Sequence, residues 1–204
     1  MRWDAGVRWH VDTVTPTVLQ PVTLTFVRDE HLRAMNESAE DVYLQALIGT
    51  ATRMAERVTQ RALLTQTLRL VLDRFPCGEI ALPCPPLQAV TSIDYIDPAG
   101  DTQTLPGGSP EAFHVIAPTG PSAAPALLTP LYGETWPTTR AQRDAVRVTY
   151  TAGYTAVTLP DDIRHGILLV IGELYKQRSE SVHTLGQTPA LIRARTLWRG
   201  YRVF

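Results

Sequence analysis

Cysteine is nearly absent from this chain of 204 residues: Cys77 and Cys84 are its only two. Two thiols with no accompanying His or Cys ligand spacing do not make a four-ligand zinc site. A disulfide across the proline-rich corner they flank would be disfavoured in a reducing compartment, so both are expected as buried or half-buried thiols. Histidines 10, 31, 114, 165 and 183 are scattered, with no HxxxH or HExxH pattern. Ser109 and Ser122 lack a GxSxG elbow, and Gly107-Gly108 is not followed by the lysine of a phosphate loop. No run approaches the roughly 18 apolar residues of a membrane helix. Basic excess is missing too: the formal net charge is -1, which argues against a protein whose main task is coating nucleic acid. These absences point away from catalysis, cofactor binding and metal chemistry.

What is present suits a folded protein. Hydrophobic residues make up 44% and charged residues 19%, enough for a sizeable core in one domain with appendages or in two small ones. The opening Met1-Arg-Trp-Asp-Ala-Gly-Val-Arg-Trp-His10 shows no apolar signal segment, so synthesis and residence in the cytoplasm are expected.

Two helical patterns stand out. From a Ser38 cap with Asp41 three residues on, Leu44, Leu47, Ile48, Ala51, Met54, Ala55, Val58 and Ala62 recur at three- and four-residue steps, predicting an amphipathic helix over about 38–63. Thr158 as a cap, Pro160 in the first turn and Asp161 and Asp162 at the positive end of the dipole open a second helix over about 160–178. Its stripe is Ile163, Ile167, Val170, Ile171 and Leu174. Adjacent carboxylates on a helix point about 100° apart, so Asp161 and Asp162 are read as helix-start charge and not as a catalytic pair. Gly166 and Gly172 lower helix propensity and suggest close packing against another backbone. A shorter helix is expected at Arg28 to Met35, after a strand or lead-in at 21–25.

Between the long helices the chain reads as β. Strands are expected at 65–75, 79–82, 89–96, 102–105, 113–116, 126–129 and 146–150, with Asp97-Pro-Ala-Gly100 as a turn. Turn chemistry accounts for Asp97 and Asp101, and with Asp94 they lack calcium-loop spacing. Residues 1–20 show no sustained period and read as an extended arm. The predicted fold is α+β: a helical core of two long amphipathic helices plus shorter ones, an inserted small antiparallel β region at about 65–150, and an extended C-terminal tail.

Three stretches carry a resemblance. Leu82 to Gly100 (LPCPPLQAVTSIDYIDPAG), Val146 to Tyr154 (VRVTYTAGY) and Leu159 to Arg178 (LPDDIRHGILLVIGELYKQR) resemble the head–tail connector, or adaptor, family of tailed bacteriophages. That family also occurs in phage-like gene transfer agents. Pro21-Val-Thr-Leu, His31-Leu-Arg and Thr59-Gln-Arg-Ala-Leu63 fit the same pattern, and the resemblance covers roughly residues 20 to 180. It implies an N-terminal arm (1–20), a connector domain (21–182) and a docking tail (183–204). It further implies a non-enzymatic virion protein without cofactors at the head–tail interface, assembled in the host cytoplasm. Such a protein would form a ring of about twelve copies under the portal protein, built on heterologous contacts. The ring would extend the channel through which double-stranded DNA passes without sequence-specific binding, and would offer a platform to a stopper or tail terminator. Two other classes stay open: a DNA-binding or DNA-packaging accessory protein, and a small enzyme with an unfamiliar site.

After Ser181 the chain holds arginines and apolar residues but no acidic residue. Aromatics and arginine are enriched in interface hot spots. The expected portal-docking residues are therefore Leu191, Ile192, Arg193, Arg195, Leu197, Trp198, Arg199 and Tyr201, with nucleic-acid contact and a solvated end as alternatives. On this reading the segment from Pro189 is mobile until docked. Trp198→Ala would then spare folding while abolishing attachment.

Overall fold

The computed structural model describes residues 7–32, 40–106, 112–177 and 188–203. Expectations placed on Met35, Ser38, Gly107, Gly108, Ser109, His183 and the first residues of the tail lie outside them. The chain divides into two compact units. One is built on the chain up to Thr17 and on Thr65–Gly153, the other on Val18–Leu64 and Tyr154–Val203.

Among the described residues the first unit holds eight strands: β1 (Trp9–Thr15), β2 (Gln66–Leu72), β3 (Ile80–Leu82), β4 (Leu87–Ile96), β5 (Thr102–Pro106), β6 (Phe113–Ile116), β7 (Ala126–Pro130) and β8 (Val146–Ala152). They form a five-stranded sheet in the order β1-β2-β8-β4-β5 and a three-stranded sheet in the order β3-β7-β6. Every pairing is antiparallel. In β8 the period of two is clean: Val146, Val148, Tyr150 and Ala152 are buried, and Arg147, Thr149 and Thr151 alternate with them. Opposite them Leu72, Leu70 and Leu68 pair with Val146, Val148 and Tyr150, so one face of the β2–β8 ladder is continuously apolar. The buried Tyr150 hydroxyl donates to the carbonyl of Pro83 at 2.9 Å, which ties the proline corner to the sheet. The Asp97 turn closes as its residues require: the Asp97 carboxylate accepts the N–H groups of Gly100 and Asp101 and the Gln103 amide, and Gly100 has φ +104°. Those donors, the Gln103 amide foremost, hold the Asp97 carboxyl below the usual carboxylate range. Cys84 is half-buried but Cys77 is exposed, which corrects the expectation for Cys77.

The helical unit comprises a π-helical turn (Phe26–His31), α1 (Asp41–Thr59), α2 (Asp161–Lys176) and α3 (Pro189–Arg199). α1 buries Leu44, Leu47, Ile48, Ala51 and Ala55, the stripe its sequence displays, and α2 buries Ile163, Gly166, Ile167, Val170 and Ile171. These side chains form one core with Leu191, Ala194 and Trp198 of α3. Arg28 fastens the π turn to the start of α1 through Asp41 at 3.2 Å, and the Tyr175 hydroxyl donates to Glu40 at 2.6 Å. Thr158 does not cap α2. Its hydroxyl oxygen accepts the N–H of Thr155 within the preceding turn, and Pro160 takes the cap position.

The structure therefore overturns the predicted fold class. The molecule is a sheet-rich α+β protein, with eight strands in two antiparallel sheets and three main helices among the described residues, not a helical core with a small β insertion. Two elements account for the difference. Residues 9–15 are a strand on β2, not a free arm, and within the expected extended tail Pro189–Arg199 is the helix α3.

His31 supplies a pH test of the helical unit. Its Nε2–H donates to the Leu168 carbonyl at 2.8 Å. Burial, reinforced by His165 and Lys176, lowers its pKa below the ordinary 6.5 despite that bond. The folded state thus favours neutral imidazole. The resulting stabilisation is complete above pH 6.5, declines as the pH falls through that value, and levels off below the folded-state pKa. Unfolding free energy measured between about pH 7 and 5 should fall more in the native protein than in His31→Gln, whose amide keeps a donor without the charge. Identical pH profiles would show that His31 does not carry the effect.

Candidate functional site

α3 begins as helix chemistry dictates. Thr188 is extended, its hydroxyl oxygen accepts the N–H of Leu191, and Pro189 opens the first turn. Leu191, Ala194 and Trp198 then fall on one face at three- and four-residue spacing, and all are buried. Trp198 is completely enclosed. Its indole N–H donates to the Ile163 carbonyl at 3.2 Å. The ring occupies the space left by Gly166: a Cβ at that position would lie 2.3 Å from Trp198 Nε1 and 2.7 Å from Cε2. Gly166 is needed because an indole, and not another backbone, fills the place of its side chain.

The chain beyond α3 is fastened as well. The Tyr201 hydroxyl donates to Asp162 at 3.0 Å, Arg61 donates to the Tyr201 carbonyl, and the Val203 N–H donates to the Thr59 carbonyl. Burial and the Asp162 carboxylate both raise the Tyr201 pKa, so its proton stays in that bond.

The eight residues expected to dock therefore part into two sets. Leu191 and Trp198 belong to the core of the helical unit, with Leu197 and Tyr201 packed half-buried against it. Ile192, Arg193, Arg195 and Arg199 are exposed. The apolar half of the tail finds its partner surface on α1 and α2 of its own chain, which leaves the basic half facing solvent.

That basic half shares a cleft with residues the sequence did not single out. Arg195, Arg199 and Arg202 line a cavity of about 510 Å³ together with Arg57, Val58 and Gln60 from the end of α1. Among the described residues no aspartate or glutamate lines it, and Arg57, Arg195 and Arg199 form no ion pair. Nothing local in the sequence marks Arg57 as part of this group, because its membership depends on the packing of α1 with α3.

A second concavity, about 550 Å³ and mainly apolar, lies elsewhere on the helical unit, lined by Pro21, Val22, Phe26, Leu64, Leu159 and Leu168 among others. Val18, Leu19, Phe26 and Val157 of this unit are exposed large hydrophobics. Among the described residues no group of three His, Cys, Asp or Glu side chains is placed to hold a metal, and no described helix is long and apolar enough to cross a membrane.

A sheet-rich α+β protein with an arginine-lined cleft on its helices is the class that the fold and site define. Comparison with solved structures locates the fold. The chain aligns with a chain from the neck of an empty GTA particle computed with C6 symmetry, with TM-score 0.74, 23% identity and coverage of 96% of this chain and 97% of that one. It aligns also with a chain of the virion of a native gene transfer agent (GTA) particle, with TM-score 0.71, 23% identity and coverage of 95% and 97%. A third match is the neck of a native GTA particle computed with C12 symmetry, with TM-score 0.61, 23% identity and coverage of 96% and 97%. No family model and no curated protein sequence matches the chain. At this identity the likeness shows a shared fold: the chain has the fold of components of gene transfer agent particles. That agrees with the resemblance to head–tail connectors carried by its motifs.

The burial of Trp198 reverses the expectation attached to it. Trp198→Ala should destabilise the protein by about 3–5 kcal/mol, the usual cost of emptying a tryptophan site. Gly166→Ala should also destabilise, since a methyl group there collides with the indole. Denaturant unfolding of the two variants checks both. Wild-type stability in Trp198→Ala would mean that α3 is not part of the core.

Proposed function

We propose that the protein is a structural, non-enzymatic component of the neck of a phage-like particle: a head–tail connector that forms a ring under the portal, extends the DNA channel and joins the capsid to the tail. The observation that carries this reading is the near full-length fold likeness to chains of GTA necks computed with C6 and with C12 symmetry. A closed ring needs two different, complementary faces on each copy. The exposed apolar residues around Phe26 offer a surface of the kind that a neighbouring copy would cover. Portal docking falls to the exposed residues of α3, namely Ile192, Arg193, Arg195 and Arg199, while Leu191, Leu197, Trp198 and Tyr201 hold the helix in place beneath them. Duplex DNA would pass without sequence-specific contact, and a stopper or tail terminator would follow below. The ring, about twelve copies by the connector resemblance, would sit at the head–tail interface of the virion after assembly in the host cytoplasm.

Electron microscopy of the source particle tests the proposal. The expected result is density for this chain as a closed ring at the neck, with α3 turned toward the portal. Finding it as a two-fold dimer, or at another place in the particle, would contradict the reading, because an isologous dimer does not by itself line a channel. Ile192→Asp combined with Arg193→Glu should leave thermal unfolding unchanged and reduce incorporation into particles several-fold. Normal incorporation of that variant would place portal docking elsewhere.

A further inference from the structure

The cleft at the joint ends of α1 and α3 is lined by four arginines and, among the described residues, by no aspartate or glutamate. Arg195 and Arg199 are four residues apart, so they stand one above the other on the same face of α3. Like charges at that spacing repel each other and weaken a helix. Arg57 of α1 and Arg202 beyond α3 border the same cavity. Arg57 and Arg199 lie in the last turns of their helices, where a cation complements the negative end of the dipole. That effect explains each of those two alone. It does not explain four arginines around one concavity with no aspartate or glutamate among its described lining residues.

We propose that this cleft is a binding site for an acidic peptide segment of a partner protein, whose carboxylates the guanidinium groups of Arg57, Arg195 and Arg199 would receive. Guanidinium forks match carboxylates bidentately. Val58 and the aliphatic stems of the arginines give the cleft an apolar component, which suits the methylene groups of glutamate or a neighbouring apolar side chain. Shape and charge favour a peptide over duplex DNA. The cavity of about 510 Å³ is concave and admits an extended chain, whereas a duplex presents its phosphates along a convex rod. The net charge of -1 for the whole chain also gives DNA little long-range attraction beyond the cleft. The inference concerns the isolated chain, so its test does not depend on the neck reading.

Fluorescence anisotropy of a labelled hexaglutamate peptide, titrated with the full chain at low and at physiological salt, measures the site. A short DNA duplex and inorganic phosphate serve as parallel probes. Saturable, salt-sensitive peptide binding is expected, tighter than binding of either other probe. Arg195→Gln with Arg199→Gln should weaken it by about tenfold or more, the scale of a lost charge-assisted hydrogen bond. Both side chains are exposed, so the unfolding midpoint should stay unchanged, and Arg57→Gln alone should give a smaller loss. Three results would overturn the proposal: no peptide binding at low salt, peptide binding indifferent to the arginine substitutions, or tighter binding of the duplex through the same arginines.

Discussion

Where α2 would carry a side chain at position 166, it carries the indole of Trp198 instead. Much of the helical unit depends on that substitution of one group for another. An aromatic side chain of this size buries about 150–250 Å², worth about 4–6 kcal/mol at 25 cal/mol per Å², and its single polar atom is satisfied by the Ile163 carbonyl. With the ring seated, α3 has one position on α2. Leu191 and Ala194 then close the core, Tyr201 reaches Asp162 and Arg61, and Val203 reaches the end of α1. The arginines of α3 come to lie beside Arg57 as a consequence.

The same constraint divides the labour within α3. Its apolar residues are spent on folding, so whatever the helix offers to another molecule must come from its basic face. A structural protein in a symmetric assembly needs surfaces of this kind, rigidly held and chemically distinct from one another, more than it needs a pocket with converging acid and base groups. The connector proposal draws its weight from the fold, and the acidic-peptide proposal from the arginines.

Elements that bury one face announced themselves in the sequence. The alternation Val146, Val148, Tyr150, Ala152 was legible as β8, the stripe from Leu44 to Ala55 as α1, and the Asp97–Gly100 chemistry as a turn. β1 was not legible, because it lies at the edge of its sheet with nearly all its side chains exposed. Its place is fixed by backbone pairing with β2, which leaves no apolar period to read. α3 was misread for a different reason. Its aromatic and apolar residues do need a partner surface, but that surface is assembled from α1 and α2, more than a hundred residues earlier in the case of α1. Gly166 held the clue, since a glycine inside a strong helix asks what occupies the missing side chain. The basic cleft was half visible through Arg195 and Arg199, and Arg57 joins it only through tertiary packing.

Hydrogen exchange of the purified full chain tests the central claim, that α3 is built into the core by Trp198, more directly than any substitution. Backbone amides in the hydrogen-bonded interior of α3 should exchange with the same free energy as those of α1 and α2, near that of global unfolding. Exchange of α3 at the rate of a frayed terminus, with α1 and α2 still protected, would contradict the account and restore α3 as a segment free to order on a partner.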